Sequence, residues 1–565
     1  MRFYLVLTIA AQAAYAASIP RQIASVSVST SSGVLQGTET NGLLTFKGVR
    51  FGQAPTGSLR WAAPVAFTST ESQDATTLGP ACIQQFPFAV AAISEKLFNT
   101  PPAPESEDCL FLNVWAPAST GQALPVVIWI YGGVSTRDAD SVSNKLTIFA
   151  CRSLAFGTAW NAEYDGSSLA SNQSVVVVSF NYRTNVFGFP ESPDLSLAGN
   201  INNLGFLDQE LAFQWVQTNI AKFGGDPGKV TIMNHKGQSA GAISVAAAYV
   251  RHAAGTAPFQ GAIMLSGTVE AESPTPSFTS FNAMASAVGC NQSPGAARLE
   301  CLRAVPASTI RTFTNSAFSG IWGGLVDNVT LFSDPLLRIR NGETSKVPFM
   351  IGNAENDGSL FALNQNNLTT FLNNTFGTLI TPDQVRALYA SGLSDNAIIS
   401  EVIKDFTFLC PAELWGAAAV SAGTTNVYRY AYGAVFSDLQ LFENAGAWHS
   451  SERSFFAVIF TFSYIVDLCY TAVFEIFGTY PSDATDVEKT LSLTMQNIVA
   501  NFARNPTAAP APNWPEYVPG NTTKTLAKLA YSSNVVLSDV VQTAGSDSLD
   551  SPCDTLWNKL LDVRL

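Results

Sequence analysis

The hydrophobic pattern along the chain predicts a sheet of buried parallel strands. Five short segments are almost wholly apolar and rich in valine and isoleucine, without the alternation of a half-exposed strand: 126–131, 175–180, 230–233, 262–265 and 348–352. Helical periodicity separates them, as over Leu207–Phe223, which the helix-breaking loop Gly224–Gly228 follows. Strands that alternate with helices predict an α/β fold with a mostly parallel, doubly wound central sheet.

The composition favours one large folded domain. Hydrophobic residues make up 47% of the 565 positions and charged residues only 13%, which suits a sizeable core and excludes a disordered chain. The net charge is −13 and no lysine or arginine cluster is present, so no nucleic-acid partner is expected. The proline-dense stretch 506–515 predicts a surface loop rather than a linker, and we expect a single domain over residues 17–565.

Several features predict export. Residues 1–16 have the pattern of a signal peptide, with Arg2, an apolar run and the small-x-small site Ala14–Ala16; a strand or core helix is the alternative. Neither this run nor the 12-residue Phe455–Val466 is long enough for a transmembrane segment. We therefore expect a secreted, extracellular protein. N-x-S/T sequons predict glycosylation at Asn172, Asn291, Asn328, Asn367, Asn373 and Asn521.

A serine nucleophile is predicted at Ser239. Gly237–Gly241 reads G-Q-S-A-G and lies between the strand-like segment Lys229–Met233 and the helix-like segment Ala242–Val250. In a strand–turn–helix context this pattern forms a sharp elbow, in which flanking glycines avoid clashes and the serine faces the substrate. The bare pattern is weak, and its context makes it specific.

The base that a serine nucleophile needs must come from three histidines. His235 lies too close to Ser239 in sequence to fold back as its base, and His252 is expected at the surface. His449 remains, and it fits the chain order of serine, acid and histidine that this elbow predicts.

The acid should follow a later strand, between the serine and the histidine in sequence. Asp357 comes shortly after the predicted strand 348–352 and is the favoured acid, with Glu355 as the alternative. Its role would be to orient the imidazole and to stabilise its charged form. An ordinary solvated turn is the competing interpretation of this segment.

Longer motifs show a family resemblance. The chain resembles type-B carboxylesterases, the group that includes cholinesterases and fungal lipases, over nearly its whole length. The matching motifs are Gly48–Pro55 with Leu59–Trp61, Glu107–Val114, Asn203–Gln209 and Phe223–Pro227. This resemblance implies the α/β-hydrolase fold and serine-dependent hydrolysis of carboxylic esters, without a cofactor and without a metal.

The resemblance also carries residue roles onto this sequence. The family's nucleophile, acid and base match Ser239, Asp357 and His449, although most relatives have glutamate as the acid. Its oxyanion hole matches the amides of Gly132, Gly133 and Ala240, preceded by Tyr131 where many members have histidine. The family's disulfides would pair Cys82 with Cys109, Cys290 with Cys301 and, by its later loop pattern, Cys410 with Cys553.

Three stretches depart from the family pattern, each beside the predicted active site. These atypical inserts lie near 134–153, 234–236 and 453–472, and the two long ones contain Cys151 and Cys469, the remaining cysteines. We interpret the inserts as translated introns or mis-set splice boundaries. The alternative is a Cys151–Cys469 bridge between long active-site loops.

These observations predict a secreted carboxylic ester hydrolase acting on a small-molecule or lipid ester; no oligomeric state is predicted. The alternative is a catalytically impaired or non-catalytic binding protein on the same fold. A lipase would carry an apolar lid, for which the loop Gln84–Thr100 with Phe86, Phe88, Leu97 and Phe98 is the candidate; ordinary packing of that loop is the competing interpretation.

Overall fold

The computed structural model describes residues 23–86, 102–118, 121–133, 154–235, 240–269, 277–316, 319–320, 322–436, 440, 442, 445–448, 476–480, 484–520, 525–531 and 539–561. The predicted signal peptide therefore lies outside the described residues. So do Cys151, Cys469, Asn521, most of the predicted lid and most of the three inserts.

One large sheet runs through the described part of the chain. Its thirteen strands are β1 (Ile23–Thr30), β2 (Gly33–Thr40), β3 (Leu43–Arg50), β4 (Ser72–Asp74), β5 (Phe111–Pro117), β6 (Leu124–Tyr131), β7 (Val176–Phe180), β8 (Gly225–His235), β9 (Gly261–Leu265), β10 (Phe349–Ala354), β11 (Val427–Tyr432), β12 (Leu526–Leu529) and β13 (Val541–Ala544). The order is β1-β2-β3-β5-β7-β6-β8-β9-β10-β11-β12-β13, with β4 paired to β2. The seven strands from β7 to β12 are parallel to one another, and antiparallel strands extend the sheet on both sides. This is the α/β-hydrolase fold that the sequence predicts.

Helices fill the connections between strands. In the described ranges they are α1 (Ser167–Gln173), α2 (Asn185–Gly188), α3 (Pro193–Leu197), α4 (Leu204–Asn219), α5 (Ala240–Arg251), α6 (Thr279–Ala287), α7 (Ala296–Ala304), α8 (Ala307–Thr314), α9 (Pro335–Arg340), α10 (Leu368–Phe376), α11 (Pro382–Arg386), α12 (Asp395–Lys404), α13 (Cys410–Ser421), α14 (Asp486–Arg504), α15 (Asp547–Pro552) and α16 (Asn558–Leu561). Every residue of β6, β7 and β10 is buried, so both faces of the central sheet are covered.

Local sequence accounts for several element ends. Helix α14 begins with a capping box, in which Thr485 and Glu488 each accept from the other's backbone amide, so two amides without helical partners are satisfied. Three disulfides link Cys82 to Cys109, Cys290 to Cys301 and Cys410 to Cys553. They are the pairs that the family resemblance implies.

The loop predicted at Gly224–Gly228 is only partly correct. Gly224 ends the preceding helical turn in a left-handed conformation, with φ of 83°, but β8 already begins at Gly225. Gly225 pairs with Leu124, a bulge follows, and the regular ladder resumes where Val230 pairs with Val126. Part of the predicted loop is thus a bulge within the strand.

The far end of β8 also differs from the prediction. The sequence pattern ended this strand at Met233, whereas its ladder continues through Asn234 and His235, which pair with Ile130 and Tyr131. The Asn234 side chain is bonded to the backbone of Leu265, accepting from its nitrogen at 3.0 Å and donating to its oxygen at 3.3 Å. Two residues of the short predicted insert are thus part of the central sheet.

Candidate active site

The predicted site elements meet at one edge of the sheet. Strands β6, β8, β9 and β10 are consecutive neighbours and parallel, so their carboxyl ends lie side by side. The glycines of the predicted oxyanion hole follow β6, the predicted nucleophile follows β8 and the predicted acid follows β10. Ligands of open α/β sheets bind at this edge.

The structure describes the strand and the helix that flank the predicted nucleophile elbow. Strand β8 ends at His235 and helix α5 begins at Ala240, so Ser239 lies outside the described residues, directly before the helix. A Cβ at Gly241 would lie 3.1 Å from the Ile130 oxygen and 3.3 Å from the Gly132 nitrogen. The first turn of α5 therefore approaches the end of β6 so closely that only glycine fits easily.

The glycine run after β6 is pressed against a second backbone segment. A Cβ at Gly133 would overlap the carbonyl oxygen of Phe156. A Cβ at Gly157 would overlap the Tyr131 ring and would lie 2.7 Å from the Gly132 oxygen. Residues 154–157 thus form the wall behind the predicted oxyanion hole, and they begin where the predicted insert 134–153 ends.

Tyr131, the residue before these glycines, is held by Tyr182. The two rings stack with centroids 4.4 Å apart. The Tyr131 hydroxyl donates to the backbone carbonyl oxygen of Tyr182 at 3.0 Å, and the Tyr182 hydroxyl donates to the backbone carbonyl oxygen of Tyr131 at 2.7 Å. Burial raises the pKa of both hydroxyls well above the usual value, so both remain protonated donors.

The predicted acid Asp357 is fully buried in the turn after β10. Its Oδ2 accepts a hydrogen bond from the Ala354 amide at 2.8 Å. The next residue is Gly358, where a Cβ would overlap the Ser400 carbonyl oxygen of α12. The turn that carries Asp357 therefore packs directly against α12, and this contact restricts the position of the turn.

Glu355, the alternative acid, has different surroundings. Its largest electrostatic neighbours are Lys404 and Lys528, followed by Glu401 and Asp405. Burial raises the pKa of the Glu355 carboxyl above its usual value. These neighbours belong to α12, the residue after it, and β12. The two largest charge effects on the Glu355 carboxyl thus come from lysines.

The chain leading to His449 is attached to the acid turn. Asn356 and Trp448 form an isolated parallel β-bridge. The Asn356 amide donates to the Ala447 oxygen at 2.8 Å, and the Ala447 amide donates to the Asn356 side-chain oxygen at 2.9 Å. His449 lies outside the described residues, but Ala447 and Trp448 are the two residues immediately before it in sequence.

The comparisons with known proteins agree with this architecture. The sequence model of the carboxylesterase family matches residues 24–543. The chain belongs to the carboxylesterase family. A solved p-nitrobenzyl esterase structure superposes with a TM-score of 0.71 at 26% identity, covering 94% of this chain and 99% of that one.

Several curated members of the carboxylesterase family are similar in sequence. Para-nitrobenzyl esterase of Bacillus subtilis is 30% identical over 513 residues, which are 87% of this chain and 92% of that protein. A secreted triacylglycerol lipase of Gibberella zeae is 33% identical over 434 residues, 69% of this chain and 70% of that one. Secreted lipase 1 of Botryotinia fuckeliana is 37% identical over 361 residues, and this match spans 58% of each chain.

The remaining histidines of this carboxylesterase-family chain lie in other settings. His252 is half-buried rather than on the surface, and its Nε2 lies 3.0 Å from a Glu210 carboxylate oxygen. It follows the carboxyl end of α5, a 12-residue helix about 18 Å long, and is therefore remote from the elbow. The backbone of His235 belongs to the β8 ladder.

One cluster of potential metal ligands occurs among the described residues: Glu413, Asp550 and Cys553. Cys553 is used in a disulfide, and Asp550 forms two hydrogen bonds with Arg429, at 2.6 and 2.9 Å. With a blocked thiol and a buried guanidinium at the carboxylate, the donor set does not suit a cation.

Three further predictions concern the surface of the molecule. Phe86 is buried and packs on Phe156 with centroids 5.3 Å apart, so this residue belongs to the core rather than to a lid; Phe88, Leu97 and Phe98 lie outside the described residues. No helix in the described ranges is long and apolar enough to cross a membrane. The side chains of the described sequon asparagines are exposed, as N-glycosylation requires: Asn172, Asn291, Asn328, Asn367 and Asn373.

Sequence reasoning missed a buried glutamine that contacts this site. Gln84 follows Cys82 by two residues, and its sequence position indicates only the start of a candidate lid. Its side chain instead bonds to the backbone of Gly157, behind the oxyanion glycines. A single glutamine carries no periodic or motif signal, so only the tertiary structure reveals this contact.

Proposed function

We propose that this protein is a secreted carboxylic ester hydrolase that acts through an acyl-enzyme. Ser239 is the nucleophile, His449 the general base and Asp357 the acid that orients the imidazole. The amides of Gly132, Gly133 and Ala240 form the oxyanion hole. The reaction uses no cofactor.

The observation that carries the proposal is the bridge between Asn356 and Trp448. Asp357 and His449 each follow one of the two bridged residues directly. In a parallel bridge the chains run in the same direction, so we expect the two following residues to be neighbours. This supports an Asp357–His449 pair, whereas the charges that act most strongly on the competing Glu355 are those of Lys404 and Lys528.

A second observation supports the oxyanion hole. A Cβ at Gly241 would lie 3.3 Å from the Gly132 nitrogen, so the amino terminus of α5 lies close to the glycine run. Amides at a helix amino terminus carry partial positive charge, which favours an anion there. A carbonyl oxygen held in that space would gain these bonds as it becomes negatively charged.

The proposed reaction has two halves. His449 takes the Ser239 hydroxyl proton while the serine oxygen bonds to the ester carbonyl carbon, and the carbonyl oxygen becomes the oxyanion. Collapse of this intermediate breaks the bond to the alcohol oxygen, which receives the proton from His449. Water then repeats the sequence, releasing the carboxylic acid and restoring Ser239.

The substrate class follows from the family. Its curated members that match this chain include esterases and lipases, which supports a small-molecule or lipid ester as substrate. The predicted signal peptide, the three disulfides and the names of the fungal relatives support secretion. Amino-terminal sequencing of exported protein should begin at Ala17.

We further propose that the inserts near 134–153, 234–236 and 453–472 are translated introns or mis-set splice boundaries. Gly133 packs against Phe156, so the chain returns to its starting place after the first insert. The fold therefore does not need those residues to connect β6 with the next segment. Sequencing the spliced transcript tests this, since three intact inserts would contradict it.

The inserts also favour a second candidate function, a non-catalytic binding protein on this fold. The first insert begins directly after Gly133, in the predicted oxyanion hole. Loss of one oxyanion donor costs roughly 10²–10³ in rate, so an altered loop there would impair catalysis. In that case the chain as written would bind esters without hydrolysing them.

Hydrolysis of p-nitrophenyl acetate and of a longer-chain p-nitrophenyl ester tests the proposal, together with covalent labelling by a fluorophosphonate. We expect the protein lacking the three inserts to hydrolyse both and to be labelled, and Ser239→Ala to abolish both signals. The full chain is assayed in parallel. If both folded forms are inert and unlabelled, the binding protein becomes the better proposal.

A further inference from the structure

Gln84 is a buried glutamine whose side-chain amide forms hydrogen bonds with backbone atoms. Its Oε1 accepts from the Gly157 amide at 2.6 Å, and its Nε2 donates to the Gly157 carbonyl oxygen at 3.0 Å. The same Nε2 donates to the Cys82 oxygen at 2.5 Å. One side chain thus bonds both backbone groups of Gly157 and ties them to a residue of a disulfide.

Gly157 has a conformation that brings its backbone close to the oxyanion glycines. Its φ is 123°, which L side chains rarely adopt, and the space for a Cβ is filled by the Tyr131 ring and the Gly132 oxygen. The preceding residue presents its carbonyl oxygen where a Cβ at Gly133 would lie. Any shift of Gly157 would therefore be transmitted to Gly132 and Gly133.

Other contacts hold this segment less directly. The Gln85 amide and the Asn185 side chain both donate to the Ala155 oxygen, at 3.0 and 3.2 Å. These bonds secure the start of the segment, two residues away from Gly157. Gln84 differs from these two residues because it bonds Gly157, which lies directly against the glycine run.

We infer that Gln84 is a positioning residue for the oxyanion hole, acting through Gly157 on the amides of Gly132 and Gly133. This inference rests on the proposed function. Glycines have no side chains that could anchor them by packing, so their amides depend on the surface behind them. An oxyanion hole stabilises the transition state through preorganised donors, and small displacements reduce that effect.

The role predicts a specific kinetic signature. The hole acts on the tetrahedral intermediate rather than on the planar ester, so its disturbance lowers kcat with little change in KM. A trifluoromethyl ketone separates the two states, because the serine oxygen adds to its carbonyl carbon and the carbonyl oxygen becomes an oxyanion in the hole. Binding of this probe should weaken in parallel with kcat.

The main variant is Gln84→Met, which keeps the size of the side chain and removes its hydrogen bonds. We expect kcat for p-nitrophenyl acetate and the affinity for the trifluoromethyl ketone to fall together by about 10- to 100-fold, below the full loss of a donor. KM should change by less than about threefold. Circular dichroism and thermal melting establish that the variant is folded.

Gln217→Met is the matched control. Gln217 also donates to two carbonyl oxygens, those of Pro227 and Pro258, at 2.9 and 2.8 Å. It lies near the opposite end of β8 from the elbow, so its variant should retain the kcat and probe affinity of the unmodified protein. An equal loss in both variants would mean a general structural effect and would overturn the inference.

Gln84→Glu covers the case in which the methionine variant does not fold. The glutamate keeps the acceptor for the Gly157 amide, and when protonated it also keeps one donor. We expect its probe affinity, relative to the unmodified protein at each pH, to recover as the pH falls. Unchanged probe affinity in a folded Gln84 variant overturns this inference alone. If neither the full chain nor the protein lacking the three inserts reacts with ester or probe, the proposed function is overturned with it.

Discussion

Asn356 forms two hydrogen bonds with the backbone of Ala447. Its backbone amide donates to the Ala447 carbonyl oxygen at 2.8 Å, and its side-chain oxygen accepts from the Ala447 amide at 2.9 Å. This pair of bonds attaches the turn that carries Asp357 to the segment that leads to His449. The geometry of the proposed acid–base pair would therefore depend on a residue that is neither acid nor base.

Replacing Asn356 should therefore lower activity more than stability. Asn356→Ala removes only the side-chain bond to Ala447, and we expect kcat for p-nitrophenyl acetate to fall by about 10-fold through misplacement of His449. Asn356→Asp retains the acceptor and should restore most of the rate. Asn341→Ala, at an exposed position, serves as the control. Equal rates in the two Asn356 variants would contradict this role.

The acid can be identified by exchanging the two candidate carboxylates separately. Asp357→Asn keeps the shape of the side chain but loses the negative charge that stabilises the imidazolium, and we expect kcat to fall by roughly 10⁴-fold. Glu355→Gln should alter kcat by less than about 10-fold, because the charges that act most strongly on Glu355 are those of Lys404 and Lys528 rather than that of an imidazole. Steady-state kinetics on both variants decides, and the reverse ranking would assign the acid to Glu355.

The buried ion pair between Arg183 and Asp208 should contribute strongly to the free energy of unfolding. The Asp208 carboxylate accepts from the Arg183 amide at 2.9 Å and from its guanidinium at 2.7 and 2.8 Å, and both residues are buried. Asp208→Asn leaves a buried arginine without its counter-charge, so we expect a loss of about 3–5 kcal/mol in the free energy of unfolding.

Chemical denaturation measures this loss, and a half-exposed ion pair offers a matched control. Asp226 lies 3.7 Å from Lys229, and such pairs contribute about 0–1 kcal/mol. Asp226→Asn should therefore unfold at nearly the same denaturant concentration as the unmodified protein. Similar losses in the two variants would show that burial does not distinguish the pairs.

The pH dependence of stability should reflect Glu413. Burial, and then the charge of Asp550, raises the pKa of the Glu413 carboxyl to about 7. In the unfolded chain a glutamate titrates near about 4.3. Because the folded state holds the proton to higher pH, this group's stabilisation is fully present below about pH 4.3 and is lost as the pH rises through about 7.

Thermal melting between about pH 5 and pH 8 tests this linkage. We expect the melting temperature of the unmodified protein to fall over this range by more than that of Glu413→Gln, whose amide does not titrate. Glu71→Gln, at an exposed position, controls for the change in net charge. An identical slope for the Glu413 variant would rule out its contribution.

Much of the fold was predictable from local sequence. The five apolar segments became neighbouring strands, because residues buried on both faces of a sheet must be apolar throughout. The G-Q-S-A-G elbow likewise indicated its own position between strand and helix. Errors occurred at strand ends, where Gly225, Asn234 and His235 joined β8 through pairing with β6, which local propensity does not report.

The sequence by itself determined the fold class, the identity of the candidate nucleophile and the chain order of the candidate acid and base. These depend on periodicity and on short motifs, which are local properties. Only the tertiary structure gave Asp357 and Glu355 different surroundings, attached the segment before His449 to the turn that carries Asp357, and placed Gln84 behind the glycine run. Each of these depends on contacts between residues 70 or more positions apart, or on the burial of a charge, and neither is encoded in a single stretch of chain.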